Sequence, residues 1–348
     1  MTDPAAPVTL PVHRSRLFAP PDMLSNLQER GPIWPLAFPD HTRYRRMLLR
    51  WFSPQRMRQI APRIERIVAD RLDGMARAGQ DGSPVDLVSR WALPIPSLVI
   101  CELLGVPGED RDTFTAETDV MVDLASSAEE VAAAQGRVVG HFGRLIERRR
   151  HAPADDLISG LIAEGQLDDE ELRNISTLLL FAGFETTAQM LAVGTFALLC
   201  NPEQGAALRN GDSRLAANAV EELLRYVTII QFGIVRAALE DVEIDGTVVR
   251  AGEVVNLCLP VANRDPEQFA APDVLDVRGS AAGHLAFGHG IHLCLGAALA
   301  RLELRIALPA LLRRFPALRM AVPADQVPIR TDATVYGLQR LPVTWDLR

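Results

Sequence analysis

Apolar positions recur at three- and four-residue steps along most of the chain, and only a few short stretches alternate instead. Between Met57 and Ala76, residues Ile60, Ile64, Ile67, Val68 and Leu72 fall on one helical face. Val85 to Leu104 reads as a second, very apolar helix, bent where Pro94 and Pro96 interrupt the backbone bonding. Ala128 to Arg150 forms a third and ends in a run of arginines, which suits the negative end of a helix dipole. Asp155 to Glu164 is short. From Leu167 a long helix opens with acidic residues in its first turn and extends to Leu199. It is apolar nearly all round, so burial is expected. Ser213 to Tyr226 is a further helix. Short strands follow at Ile234–Ala237, Val242–Ile244, Thr247–Arg250 and Glu253–Leu259, with Asp245-Gly246 as a hairpin turn. Asn263 to Gly283 is loop-rich. A last helix, Leu295 to Leu312, precedes a tail of strands and turns. The first 54 residues are proline-rich and weakly periodic. This pattern predicts a mainly α protein with a minor β part, folded as a single domain over residues 1–348.

Composition narrows the function classes. The chain has 348 residues and a net charge of −8, with arginine as its sole basic residue type apart from histidine. An acidic balance argues against a nucleic-acid partner. No run of apolar residues is long enough and unbroken enough to predict a membrane span, and the N-terminus lacks the layout of a signal peptide. Cys101, Cys200, Cys258 and Cys294 are scattered without a CxxC pair. A reduced, cytoplasmic protein is expected.

The stretch from Phe287 to Gly296, FGHGIHLCLG, carries the most chemical information. Two glycines permit a tight turn, and Cys294 falls where the apolar helical pattern begins. A thiolate there is favoured by the helix dipole and by loop N–H groups. Gly296 lets a flat group approach. A dinucleotide loop would need glycine where Leu293 stands. A zinc site from His284, His289, His292 and Cys294 matches no usual spacing. Locally, an anionic sulfur presented to a metal centre and a glycine turn before a buried free cysteine remain equally open.

This block resembles the haem-binding signature of the cytochrome P450 family, FxxGxxxCxG, at every position. Further motifs follow the family's order. His41-Thr-Arg-Tyr-Arg45 is similar to its haem-facing HTRxR helix, Ala182-Gly183-Phe184-Glu185-Thr186 to its oxygen-activation motif, and Glu222-Leu-Leu-Arg225 to its ExxR pair. Asn263-Arg-Asp-Pro266 looks like the segment after its strands. The likeness runs from about residue 39 to the C-terminus.

The resemblance implies a haem b cofactor with Cys294 as axial ligand to iron, Phe287 and Gly296 flanking the sulfur, and His41, Arg45, Arg236, His284 and His292 facing the propionates. It implies that Thr186 and Glu185 route protons to dioxygen at a local opening of the long helix, and that Glu222 and Arg225 form a buried structural pair. The activity implied is monooxygenation of an apolar small molecule in natural-product metabolism, the substrate being free or carrier-tethered. Electrons would come from NAD(P)H through a separate ferredoxin or flavodoxin and a reductase, and Arg46 and Arg50 are candidate contacts for such a partner. Two other classes share the fold: an enzyme of non-oxygenating rearrangements and a non-catalytic binding protein.

Two departures from the family pattern stand out. The region before His41, residues 1–38, is short, with Gly31-Pro32-Ile33 followed almost at once by Phe38-Pro39-Asp40. The family's larger sheet and pocket roof are therefore expected to be reduced, leaving the distal face open. Val274 stands where the family often has a polar partner for the ExxR pair, so that network is expected to be incomplete.

Overall fold

The computed structural model describes residues 41–122, 126–238, 240–330 and 335–347. The shortened N-terminal region and the open distal face expected from it lie outside the described residues.

Helix α1 spans His41–Leu49, and α2 spans Pro54–Ala78 with Ser53 as its cap, the Ser53 hydroxyl accepting the Arg56 N–H. Pro54 occupies the first turn, where its missing N–H costs nothing. The buried face of α2 is Ile60, Ile64, Val68, Leu72 and Met75, continuing the predicted stripe by one turn.

The expected helix from Val85 to Leu104 is three elements instead. Strand β1 (Val85–Asp86) pairs with a strand near the C-terminus, a π-helical turn covers Val88–Ala92, and α3 runs Pro94–Leu104. Pro94 therefore starts a helix where bending of a longer one was expected, in keeping with proline's preference for the first helical position. Among the described residues, two helices of more than one turn had no sequence counterpart: α4 (Arg111–Val122), and α8 (Pro202–Asn210) further along.

Helix α5 (Ala128–His151) starts at a capping box between Ser127 and Glu130. After α6 (Leu157–Glu164) comes the central helix α7, Asp169–Cys200, opened by a second capping box from Asp168 and Glu171. By length and composition α7 would qualify to cross a membrane, but most of its apolar stretch is buried inside the fold. It packs against α3, α5, α9 (Ser213–Val227) and the C-terminal helix α11 (Ala297–Arg314), so it is the axis of the core. Trp91, Phe142 and Phe184, the last on α7 itself, are among the largest fully buried side chains of that core.

The β part is small. Strands β2 (Ile234–Ala237) and β5 (Val254–Leu257) pair antiparallel, with Arg236 opposite Val255. Between them, β3 (Val242–Ile244) and β4 (Thr247–Val249) form the predicted hairpin. Asp245 and Gly246 both take positive φ, 48° and 74°, as a tight two-residue turn matched to strand twist requires. A short helix α10 (Leu259–Ala262) follows. Strands β6 (Arg319–Met320) and β9 (Pro342–Thr344) join β1 in one sheet, and β7 (Ile329–Arg330) pairs with β8 (Gly337–Leu338) as a separate ribbon.

Candidate active site

The loop before α11 is closed on itself. The Cys294 N–H donates to the Phe287 carbonyl at 2.9 Å, and the Gly288 N–H to the Leu285 carbonyl at 2.8 Å. Gly288 and Gly290 sit at φ 71° and 77°, left-handed positions that disfavour any side chain. Cys294 lies just ahead of α11, where helix N–H groups lack internal acceptors.

Its side chain is exposed. Burial of the surrounding atoms nevertheless raises the thiol pKa. The backbone N–H groups of Gly296 and Ala297 and the charges of Arg45 and Arg301 pull it the other way. Gly296 has an ordinary right-handed φ of −79°, so its backbone does not call for glycine. A Cβ added there meets only the Cys294 sulfur, at 4.0 Å, and would project into the open space beside it. An outward sulfur, two N–H donors, two cations and a cleared approach fit a flat metal macrocycle bound through a thiolate. A cluster of histidines does not form: among the described residues no three His, Cys, Asp or Glu side chains gather to hold a metal ion.

The other expected residues are placed as follows. Arg45, half-buried on α1, donates to the Leu293 carbonyl at 2.7 Å and thus braces the residue before Cys294. Arg236 on β2 and His292 are exposed. The side chain of His41 lies outside the described residues. His284 has a different environment: its Nδ1 accepts the Ala286 N–H at 3.1 Å and its Nε2 donates to Glu221 at 3.1 Å. Arg46 is exposed, whereas Arg50 is paired with Glu164.

Glu221, which sequence reasoning passed over, organises this side of the loop. It also receives Arg301, through Nε at 2.8 Å and through Nη2 at 2.8 Å, and Arg305 at 3.3 Å. The Arg301 guanidinium lies 4.5 Å from the centre of the Phe287 ring. Burial alone would raise the Glu221 carboxyl, but hydrogen bonds from His284 and Arg301, with the Arg301 charge, hold it at about 2.

On α7, Leu178, Ala182 and Thr186 share one face, and Ala182 is exposed amid buried and half-buried residues of the helix. The expected opening of the helix is not seen: α7 continues through Gly183, and the Thr186 hydroxyl donates to the Ala182 carbonyl one turn back at 2.8 Å. Gly183 instead serves packing, because a Cβ there would stand 2.9 Å from Ile100 of α3. The hydroxyl keeps its lone pairs for an incoming donor. Glu185 is buried. One oxygen pairs with Arg330 and accepts from Gln189 at 3.1 Å, and the other has no hydrogen-bond partner among the described residues.

Glu222 and Arg225 are 4% and 3% exposed. Arg225 donates to both Glu222 oxygens, at 2.7 and 2.8 Å, and to the carbonyls of Asn263, Pro272 and Val274, at 3.0, 2.8 and 3.2 Å. All five guanidinium N–H groups are thereby used. The network expected to be incomplete at Val274 is closed by that residue's backbone carbonyl. Glu222 also accepts the Asp276 N–H at 3.0 Å.

The chain is similar to known proteins along most of its length. A family model described as cytochrome P450 matches residues 117–343. The chain is 46% identical to cytochrome P450 105C1 of a Streptomyces species, over 98% of this chain and 99% of that one. That alignment spans 382 positions against 348 residues here, so the relative carries residues this chain lacks. Pentalenic acid synthase of Streptomyces avermitilis is 46% identical over 88% of this chain and 76% of its own. Among solved structures, CYP105P1 in complex with filipin I superposes with a TM-score of 0.84 at 43% identity, covering 89% of this chain and 78% of that one.

Proposed function

The chain belongs to the cytochrome P450 family and is a haem monooxygenase, and from that premise we propose that Cys294 would hold the haem iron through its sulfur and that the substrate is an apolar small molecule of natural-product metabolism. The observation that carries this reading is the outward Cys294 sulfur under the Gly296 and Ala297 N–H groups, with Gly296 leaving the approach clear. Bound there, the haem would supply dioxygen activation, and a thiolate donor would enrich the metal's electron density for that chemistry.

The residues of the chain have separate tasks. Arg45, Arg236, His292 and His41 provide cationic or hydrogen-bonding groups for the propionates, whose burial otherwise costs free energy. Arg45 does so while holding the Leu293 carbonyl. Glu221 fixes Arg301 beneath Phe287 and the His284 ring against Ala286, so the loop keeps its shape. Glu222 and Arg225 are structural and touch no substrate.

The overall reaction is RH + O2 + NAD(P)H + H+ → ROH + H2O + NAD(P)+. It takes up protons as well as electrons, and the site must admit them without flooding. Thr186 presents a hydroxyl on the open face of α7, and the buried Glu185 next to it in sequence is the carboxyl that relays protons to it, the role of a general acid. Electrons arrive from NAD(P)H through a reductase and a ferredoxin or flavodoxin. The same reading places the enzyme in the cytoplasm.

Support for the substrate class comes from what relatives act on or hold: one is named for pentalenic acid synthesis and another binds filipin I. The test is turnover with ferredoxin, ferredoxin reductase and NADPH under isotopically labelled O2, against a panel of terpenoid and polyketide compounds. One labelled oxygen per product molecule is the expected result. Products formed without label, or rearranged without NADPH, would contradict monooxygenation.

A further inference from the structure

Glu185 is 1% exposed, and a carboxylate so placed needs a compensating charge. The cation that meets it comes from outside α7: Arg330 of β7, distant in sequence by 145 residues. A second tie lies one helical turn along. Gln189 donates to Glu185 at 3.1 Å, and its own side-chain oxygen accepts the Leu338 N–H of β8 at 2.9 Å. Gly337 makes room for this contact, since a Cβ there would sit 2.0 Å from the Gln189 oxygen. The β7–β8 ribbon is thus seated directly on the proton-delivery turn of α7.

Both ties converge on the same carboxylate oxygen, Oε1, and Oε2 has no partner among the described residues. We propose that Arg330 is a positioning residue for oxygen activation: it pins Oε1 of Glu185 and so presents Oε2 as the oxygen that passes protons toward Thr186. This rests on the reading of Glu185 as the proton-delivering acid. Each hydroxylation consumes two electrons and two protons with one O2. Release of peroxide takes the same two electrons and two protons but delivers no oxygen atom to substrate. A carboxylate that has lost its fixed geometry shifts turnover from the first outcome toward the second. Without substrate, the same disorder shifts oxidase turnover from water, which takes four electrons and four protons, toward peroxide.

The experiment uses the haem-loaded enzyme with ferredoxin, ferredoxin reductase and NADPH, and no organic substrate. Peroxide released per NADPH oxidised, and the rate of NADPH oxidation in H2O against D2O, are compared for wild type, Arg330→Met, Arg330→Lys, Glu185→Gln and the double variant. Arg330→Met is expected to raise peroxide per NADPH by about threefold or more and to enlarge the solvent isotope effect, since small misplacements of a reacting group are costly. Arg330→Lys is expected to restore both. In the Glu185→Gln background, Arg330→Met should add nothing. That comparison also decides the matter if Arg330→Met alone fails to fold, because the double variant buries no unpaired carboxylate. Wild-type values in Arg330→Met, or additive effects in the double variant, overturn the proposal for Arg330. Wild-type values in Glu185→Gln overturn the underlying reading of Glu185.

Discussion

Replacing Arg225 with lysine keeps the charge and removes the geometry. The guanidinium now satisfies both oxygens of Glu222 and three backbone carbonyls from one planar group. An ammonium has three donors on one nitrogen and cannot reach acceptors spread round that fork. If it keeps Glu222 and one carbonyl, two of the carbonyls of Asn263, Pro272 and Val274 lose their donor; Asn263 is fully buried, Pro272 half-buried and Val274 exposed. At about 1–3 kcal/mol for one buried group left unsatisfied, loss of the Asn263 bond costs about 1–3 kcal/mol. Native stability is only about 5–15 kcal/mol, so this is a substantial fraction of it. Equilibrium urea unfolding of Arg225→Lys, followed by far-UV circular dichroism and by tryptophan fluorescence, should show a lower midpoint, with reduced haem content on purification. Pro272 and Val274 belong to the chain segment that runs on to the Cys294 loop, which is why haem retention should fall along with stability. A stability within about 0.5 kcal/mol of wild type, the range of ordinary surface substitutions, would refute the reasoning.

Two further outcomes are expected. Thr186→Ala should keep NADPH consumption while lowering product and raising peroxide, measured as product and peroxide per NADPH; unchanged ratios would remove Thr186 from proton delivery. Glu221→Gln should lose stability above pH 4.5, the ordinary value of its carboxyl, because the native value is held down to about 2. The gap to wild type should be about 2–3 kcal/mol at neutral pH and should close as pH falls from 4.5 toward 2, read from urea midpoints across that range.

Much of the helical frame was legible because its signals are local. The acidic opening of α7 is a capping box, and its apolarity corresponds to burial along most of its length, the face of Ala182 and Thr186 excepted. Asp245-Gly246 was readable as a turn because few residue pairs accept two positive φ values. The misreading of Val85 to Leu104 has a non-local cause: Val85 and Asp86 are taken up by β9, with Val85 opposite Val343. No periodicity reports such a pairing. Helix α4 was missed because its threonines, aspartates and valines give weak helical propensity, and packing against α5 decides it.

The candidate site divides in the same way. Cys294, Thr186, Glu185, Glu222 and Arg225 were visible as spaced motifs. Glu221, Arg301, Arg330 and Gln189 were not, because their partners lie on other elements, 80 residues away for Glu221 and Arg301. Val274 carries a related lesson. Its side chain offers nothing to Arg225, yet its carbonyl does, and a backbone acceptor leaves no mark on residue identity.

The most direct test of the account is the carbon monoxide difference spectrum of the reduced protein, wild type beside Cys294→Ser. A haem held by the Cys294 thiolate should give the red-shifted Soret band characteristic of thiolate ligation in wild type, and the serine variant should lose it. Wild-type protein that purifies without haem, or a serine variant with an unchanged band, would contradict the assignment of Cys294.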